Sequence, residues 1–183
     1  MEASLSNAAN SSIVLETERL ILRRFTDDDV DAVFAVIGDP LTMKYYPQKF
    51  TRDDALRWVT KSQERYRTDG FGLFAVVLKS SGEVIGNCGI MRQEVEGEFL
   101  LEVGYHFRRE YWGHGYATEA ARACRDYAFD RLGAAKVVSL ILTENAPSRR
   151  VAERNGMQVE RQVTFQGLPH LMYAKAREDY GQA

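Results

Sequence analysis

Residues 101–119 read LEVGYHFRREYWGHGYATE, and this stretch is the most informative part of the chain. Its first seven residues are typical of a β-strand that ends near Phe107, and a helix-forming sequence begins directly after Gly115. The connection contains Gly113 and Gly115, whose small size lets a ligand approach the main chain. The free N–H groups in the first turn of a helix, together with the helix dipole, favour an anion. The stretch therefore predicts an anion-binding loop, although two glycines alone would also suit a plain strand-to-helix turn.

Two common phosphate-binding motifs are excluded at this loop. A Walker loop needs Lys followed by Ser or Thr after its glycines, and no such pair follows Gly115. The dinucleotide-binding fingerprint needs a third glycine three residues after the second, and that position is Thr118. The anion expected here is therefore held by a different kind of loop.

The elements on either side of this stretch predict an α+β domain with a mixed sheet. Capping patterns at Thr26 and Thr51 open two helices after a first strand. Three runs rich in β-branched and aromatic residues then form an antiparallel meander, after which strand and helix alternate. The predicted strands are 19–25, 71–78, 84–90, 99–107, 136–142, 159–165 and 170–176, with residues 94–98 as a turn and with later helices at 115–132 and 147–155.

The composition is that of an ordinary single-domain globular protein of 183 residues, 45% hydrophobic and 27% charged. The formal net charge is −2, with both signs interleaved, which disfavours an extended nucleic-acid surface. No apolar run approaches the ~20 residues of a membrane span. Residues 1–14 are interpreted as a flexible polar tail before a domain at 15–183. Cys88 and Cys124 fall in a predicted strand and a predicted helix, so buried, reduced thiols and a cytoplasmic location are expected.

Two motifs in this order resemble the GNAT superfamily of N-acetyltransferases. The first is YWGHGYATE at residues 111–119, which follows a strand. The second begins with NAPS at 145–148, about thirty residues further along, and continues to RNGM at 154–157. Within the superfamily the chain is similar to the branch of ribosomal-protein-alanine N-acetyltransferases, from about Leu15 to the C-terminus. The resemblance implies a single GNAT-like α+β domain. Its mixed, mostly antiparallel sheet would splay at the cofactor strand and be flanked by about four helices.

The resemblance also implies where acetyl-CoA lies. The pantetheine arm would occupy a gap between the strands at 101–107 and 136–142, pairing with the main chain of His106 and Phe107. The pyrophosphate would lie on main-chain N–H groups of the loop, and the side chain of Asn145 would hold the arm. Asn145 could equally cap the helix that follows it. The loop residues implied are Trp112, which replaces the family's common Gln or Arg, and Gly113, His114, Gly115, Tyr116, Ala117 and Thr118.

The catalytic residues implied are Ser148 and Glu102. Many GNAT enzymes protonate the departing thiolate with a tyrosine seven residues after the asparagine, and here that position is Ala152. In the branch that this chain resembles, a serine such as Ser148 can take this role, although it would also suit the first turn of a helix. Glu102 lies on the cofactor strand and is the leading general base, with a surface glutamate as the alternative. His106, on the same face of a regular strand, is the second candidate base.

These features predict an acetyl-CoA-dependent N-acetyltransferase that acts on a primary amine, either a protein N-terminal α-amine or a small-molecule amine. The alternative is a non-catalytic module of the same fold that binds or senses acyl-CoA. The segments 39–50 and 163–173 are expected to contact the acceptor. The histidines show no metal-ligand spacing with the cysteines, so no metal is expected. No nucleic-acid or membrane partner is expected, and monomer and homodimer are both left open.

Overall fold

The computed structural model describes residues 13–181, which form one mixed β-sheet with helices packed against it. The strands are β1 (Ile13–Glu16), β2 (Leu20–Arg23), β3 (Leu73–Leu78), β4 (Val84–Val95), β5 (Glu98–Phe107), β6 (Lys136–Leu142), β7 (Gln158–Phe165) and β8 (Leu168–Ala176). The helices among these residues are α1 (Val30–Ile37), α2 (Arg52–Thr68), α3 (Tyr116–Asp130) and α4 (Ala146–Arg154). The predicted α+β class is confirmed, with one strand more than predicted at the start of the chain.

That additional strand begins inside the predicted tail. Ile13 and Val14 belong to β1, which pairs with β2, so regular structure starts two residues before the predicted boundary at Leu15. Val14 and Leu15 pack against the hydrophobic core from this strand. The rest of the predicted tail, residues 1–12, lies outside the described residues.

The sheet is divided by a splay between its central strands. The strand order is β1-β2-β3-β4-β5-β6-β8-β7, and every neighbouring pair is antiparallel except β5 with β6. β4 and β5 pair continuously from Gly86–Phe107 to Val95–Glu98. β5 and β6 pair only at Leu101–Val137 and Glu102–Val138, after which they separate. The predicted splay at the cofactor strand is therefore confirmed.

Local sequence signals explain how the helices are placed beside this splay. Thr51 and Asp54 form a capping box at the start of α2: the Asp54 carboxylate accepts from the Thr51 N–H at 2.7 Å, and the Thr51 hydroxyl accepts from the Asp54 N–H at 3.3 Å. α2 then buries Ala55, Val59 and Tyr66, which lie on one face of the helix. The buried side places α2 against α1 and against the core.

The two cysteines help to hold α3 on the sheet. Cys88 on β4 and Cys124 on α3 are free, fully buried thiols with Sγ atoms 3.6 Å apart. The predicted pair of buried thiols is confirmed. Their contact packs α3 against β4, and so fixes the helix whose N-terminus follows the predicted anion-binding loop.

Candidate active site

The gap between β5 and β6 begins at Glu102, the predicted general base. Glu102 and Val138 form the last residue pair between the two strands, so the main chain of β5 beyond it has no strand on that side. The Glu102 side chain is buried, and the Gln93 amide donates a hydrogen bond to its Oε2 at 2.7 Å. A carboxyl group therefore lies at the narrow end of the gap.

The surroundings of Glu102 change its acidity. Burial raises the pKa of the Glu102 carboxyl above its ordinary value. Hydrogen bonds from Gln93 and from the Leu140 main chain act in the opposite direction, because they stabilise the ionised form. Burial also raises the pKa of the Tyr46 hydroxyl, and the nearby charge of Glu102 adds to that increase. The carboxyl is thus withdrawn from water yet close to the segment that carries Tyr46.

The free edge of β5 exposes main-chain groups to the gap. The Ser139 hydroxyl on β6 donates to the Val103 carbonyl at 2.8 Å, so the Val103 main chain faces β6. Main-chain groups alternate sides along a strand, which places those of Tyr105 and Phe107 on the same edge. A ligand in the gap would therefore meet the main chain of these two residues.

The main chain of His106 faces the opposite strand. A Cβ added to Gly86 on β4 would lie 2.4 Å from the His106 carbonyl oxygen, so this carbonyl points at β4. The His106 main chain therefore faces β4, whereas the main chain of Tyr105 and Phe107 lies on the side of the gap; the cofactor contacts expected for His106 and Phe107 stay predictions. The continuous register between β4 and β5 is the physical reason, because no bulge turns the His106 main chain toward the gap.

The His106 ring is held in place by hydrogen bonds at both nitrogens. Its Nδ1 lies 3.0 Å from the Asn87 Oδ1, and its Nε2 lies 2.7 Å from the Tyr46 hydroxyl. A proton on Nδ1 satisfies both contacts. The Trp58 ring packs edge-on, with ring centroids 5.4 Å apart. Burial lowers the pKa of His106 to about 4, so the ring is neutral at pH 7 and a weaker base than an ordinary histidine.

The loop after β5 presents unpaired main-chain donors. Gly113 and Gly115 both adopt left-handed conformations, with φ of 80° and 83°. α3 begins at Tyr116, and its first main-chain hydrogen bond runs from the Glu119 N–H to the Gly115 carbonyl at 3.0 Å. Among the residues that the structure describes, no acceptor faces the N–H groups of residues 113–118. This short loop brings together the residues expected to hold a pyrophosphate: Gly113, His114, Gly115, Tyr116, Ala117 and Thr118.

Trp112 fastens the start of this loop to the end of β5. Its indole Nε1 donates to the Phe107 carbonyl at 2.8 Å, while the side chain as a whole is 45% exposed. A short 3-10 turn at Arg109–Tyr111 leads into it. The tryptophan that replaces the common Gln or Arg of the family thus braces the main chain of the loop.

The turn between β6 and α4 carries the second motif. The Asn145 Oδ1 accepts from the Ser148 N–H at 3.3 Å, so the capping interpretation of Asn145 is confirmed. The Ser148 carbonyl accepts from the Tyr105 hydroxyl at 3.0 Å, which joins β5 to α4. Ala152, at the position of the usual tyrosine, is only 1% exposed. The Tyr105 hydroxyl therefore lies next to Ser148 at this turn.

Two adjacent tyrosines hold the segment between α1 and α2 against both sides of the gap. The Tyr45 hydroxyl donates to the Glu144 carbonyl at 3.3 Å, one residue before the capping asparagine. Tyr46 reaches the His106 ring at the end of β5. The segment 39–50, predicted to contact the acceptor, therefore spans the gap. In the segment 163–173, also predicted to contact the acceptor, Phe165 of β7 and His170 of β8 pack edge-to-face, with ring centroids 5.6 Å apart.

Three polar side chains that support the site were not singled out from the sequence: Gln93, Asn87 and Ser139. Each lies inside a strand and bonds to a residue on a neighbouring strand. Ser139 is the one polar residue in the apolar run 137–142, and this interruption was a usable signal. The sequence gives no comparable signal at Gln93 and Asn87, because polar residues are common near strand ends and beside glycines.

The described part of the chain contains neither a metal-binding cluster nor a membrane-spanning helix. Within residues 13–181, no three or more His, Cys, Asp or Glu side chains are grouped so as to hold a metal ion. No helix in the described part of the chain is long and apolar enough to cross a membrane.

Comparison with known proteins identifies the family. The family described as "Acetyltransferase (GNAT) domain" matches residues 19–158. The chain is 36% identical over 167 residues to the protein YkkB of Bacillus subtilis strain 168, covering 91% of this chain and 97% of YkkB. The structure of a GNAT-family acetyltransferase from Bacillus anthracis matches with a TM-score of 0.78 and 29% identity, covering 90% of this chain and 98% of that one.

A more distant structure shares the fold alone. RimL, a ribosomal L7/L12 α-N-protein acetyltransferase solved in complex with coenzyme A, matches with a TM-score of 0.71 and 17% identity, covering 90% of this chain and 97% of RimL. The family match spans most of the chain, and it confirms the resemblance inferred from the two motifs. The chain therefore belongs to the GNAT acetyltransferase family and is an N-acetyltransferase.

Proposed function

We propose that this enzyme transfers the acetyl group of acetyl-CoA to a primary amine at the gap between β5 and β6. One observation carries the proposal: the two strands separate at the buried carboxyl of Glu102, between an anion-binding loop at 113–118 and the capping Asn145. The free, buried thiols of Cys88 and Cys124 suit a reducing compartment, so we place the enzyme in the cytoplasm.

The loop at 113–118 has the space and the donors that a pyrophosphate needs. A Cβ added at Gly113 would have no heavy atom within 4 Å, and one added at Gly115 would meet only the Arg19 Nη2, at 3.5 Å. The N–H groups of the loop and the positive end of the α3 dipole favour a bound anion. Acetyl-CoA, when bound, supplies the acetyl group as an activated thioester. The free main chain of Tyr105 would hold its neutral arm within the gap.

Glu102 is the proposed general base. An ammonium acceptor must lose a proton before it can attack, and a base with a pKa moved toward neutrality is best suited to take it. Burial moves the pKa of Glu102 in that direction, whereas burial lowers the pKa of His106 to about 4. These surroundings support Glu102 over His106 as the base, and the His106 ring is proposed to position Tyr46.

Ser148 is the proposed general acid, which returns a proton to the departing thiolate. Its position is fixed twice, by the hydrogen bond from its N–H to Asn145 and by the hydrogen bond from Tyr105 to its carbonyl. Burial raises the pKa of Tyr105, and a hydrogen bond with the Ser148 side chain opposes that shift. The two hydroxyls are thus adjacent, and Ser148 is the one nearer to the asparagine motif.

The acceptor is proposed to be a protein N-terminal α-amine or a small-molecule amine of similar basicity. An α-amine has a pKa near ~8, whereas a lysine amine has one near ~10.4, so at pH 7.5 the neutral fraction is about 200-fold larger for the α-amine. Glu102 is a single carboxylate base, and it is better suited to an α-amine because a smaller share of that amine must be deprotonated. RimL, a ribosomal L7/L12 α-N-protein acetyltransferase, acts on an acceptor of this class.

A panel of paired acceptors tests the proposal. Each peptide is offered with only its α-amine free and with only one lysine ε-amine free, alongside small primary amines. Release of free thiol from acetyl-CoA gives the rate, and mass spectrometry of the product gives the acetylated atom. The proposal predicts amine-dependent release with α-amines preferred over ε-amines. Binding of acetyl-CoA without release for any amine would instead support the non-catalytic acyl-CoA-sensing module.

A further inference from the structure

A network centred on Arg19 joins the start of the chain to the loop at 113–118. The Arg19 Nη1 donates to the His114 carbonyl at 3.0 Å. The Arg19 Nε and Nη2 lie 2.7 and 2.6 Å from the Glu119 Oε2, and its main-chain N–H donates to the Glu119 Oε1 at 2.9 Å. The Thr17 hydroxyl donates to the same oxygen at 2.6 Å. One arginine therefore holds both the loop and the first turn of α3.

Aromatic rings complete the network around the guanidinium. The Arg19 guanidinium lies over the Tyr116 ring, 4.5 Å from its centroid. The His114 ring is nearly parallel to the Tyr116 ring, with an interplanar angle of 16° and centroids 5.7 Å apart. The side chains of two loop residues are thus stacked next to Arg19.

The hydrogen bond from Arg19 to the His114 carbonyl determines where the next N–H group of the loop points. His114 lies between Gly113 and Gly115, which are both left-handed and, as glycines, have wide freedom to change conformation. In a trans peptide, the carbonyl of one residue and the N–H of the next point in opposite directions. Because Arg19 holds the His114 carbonyl, it directs the Gly115 N–H away from itself, toward the open side of the loop.

We propose that Arg19 is a positioning residue that sets the 113–118 loop in the orientation that receives the pyrophosphate of coenzyme A. The proposal rests on the proposed function. Arg19 acts through the His114 carbonyl, with Glu119 as its anchor, and it is not itself the phosphate ligand. The charge of Arg19 is already paired with the Glu119 carboxylate. Burial opposes the ionisation of Glu119, but hydrogen bonds from Thr17 and Arg19 hold the pKa of Glu119 below its ordinary value. A preorganised loop binds more tightly because less conformational freedom is lost on binding.

Arg19→Gln and Arg19→Lys separate positioning from direct charge attraction. Lysine keeps the positive charge but has no planar fork, so it cannot hold Glu119 and the His114 carbonyl together. Isothermal titration of coenzyme A into the ligand-free protein is expected to show affinity about 10-fold weaker for both variants. The matched control is Arg52→Gln, which removes an exposed ion pair with Asp31 of similar length, 2.7 Å, and should bind like the wild type.

Amide hydrogen exchange of the ligand-free protein gives a second readout that does not depend on activity. Exchange of the Glu119 N–H, which bonds to the Gly115 carbonyl at 3.0 Å, should accelerate in both Arg19 variants and stay unchanged in Arg52→Gln. Wild-type affinity in Arg19→Lys would overturn the proposal in favour of a direct charge contact, and unchanged exchange in Arg19→Gln would overturn it as well. Failure of the wild-type protein to bind coenzyme A would instead overturn the proposed function. If Arg19→Gln does not fold, Arg19→Lys carries the test alone.

Discussion

Glu102 and Val138 form the last backbone pair between β5 and β6, and the sheet opens directly beyond them. The same residue thus ends the pairing of the two central strands and places a carboxyl where they part. Burial raises its pKa, and the Gln93 amide holds its Oε2 at 2.7 Å. The position of the proposed base and the position of the gap are therefore set by one feature of the sheet.

Glu102→Gln is expected to lower kcat roughly 10²- to 10⁴-fold, because the amide cannot accept the acceptor's proton. In the wild type, kcat/KM should rise with pH through the raised pKa of Glu102, since the base must be ionised to act. The variant should lose that part of the profile. Glu98→Gln, an exposed residue of the same strand, is the control and should behave like the wild type. Retention of most of kcat in Glu102→Gln would contradict the assignment.

The same residue predicts a pH dependence of stability. The folded state holds the pKa of Glu102 above its unfolded value, so it binds more protons than the unfolded state between those two values. The stabilisation is complete below the unfolded pKa and is lost as pH rises through the folded pKa. The difference in free energy of unfolding, wild type minus Glu102→Gln, should therefore fall as pH rises across this window. Urea unfolding at a series of pH values measures it, and a difference that rises with pH would refute the raised pKa.

Ser148→Ala is expected to lower kcat roughly 10²- to 10⁴-fold while the Kd for acetyl-CoA changes little. The reason is that the hydroxyl is needed for proton return rather than for holding the cofactor. Ser148→Cys should recover part of the activity, because a thiol also carries a transferable proton. Steady-state kinetics together with calorimetric binding make the distinction. Full activity in Ser148→Ala would transfer the role to the adjacent hydroxyl, and Tyr105→Phe would then be the variant that loses kcat.

A pair of variants separates the two roles considered for Asn145, capping of α4 and binding of the pantetheine arm. Asn145→Asp keeps the oxygen that caps α4 but loses the amide donor, whereas Asn145→Ala loses both. If the amide donor holds the pantetheine arm, Asn145→Asp should bind coenzyme A roughly 2- to 13-fold more weakly at nearly unchanged thermal stability. Asn145→Ala should be weaker in binding and also less stable. Wild-type affinity in Asn145→Asp would leave capping as the sole role.

The sheet was predicted well where periodic patterns and turn residues were available. β6 was predicted residue for residue at 136–142, because an apolar run is bounded on both sides by non-strand sequence. β4 was predicted to end at Ile90 but continues to Val95. The reason is a two-residue turn in which Glu96 and Gly97 both have positive φ, 50° and 85°, so residues assigned to a longer turn join the strands instead.

The contacts that complete the site could not be predicted from the sequence. Glu102 could be assigned to the same strand face as His106, because that follows from strand alternation. The partnership of Arg19 with Glu119 spans 100 residues and leaves no periodic trace in the chain. The direction of the His106 main chain also depended on the register with β4, which a single strand's pattern does not specify.

The most direct test compares two glycines at opposite ends of α3. Gly115 precedes the helix and Gly133 follows it; both are left-handed, and neither has another residue's backbone close to its Cβ position. Valine at either site adds a similar backbone strain of about 1–2 kcal/mol, but only at Gly115 would it intrude on the proposed pyrophosphate loop. Amine-dependent release of free thiol from acetyl-CoA is the measurement. Gly115→Val should abolish release while Gly133→Val retains most of it; equal release from the two variants would contradict acetyl transfer from acetyl-CoA bound at this loop.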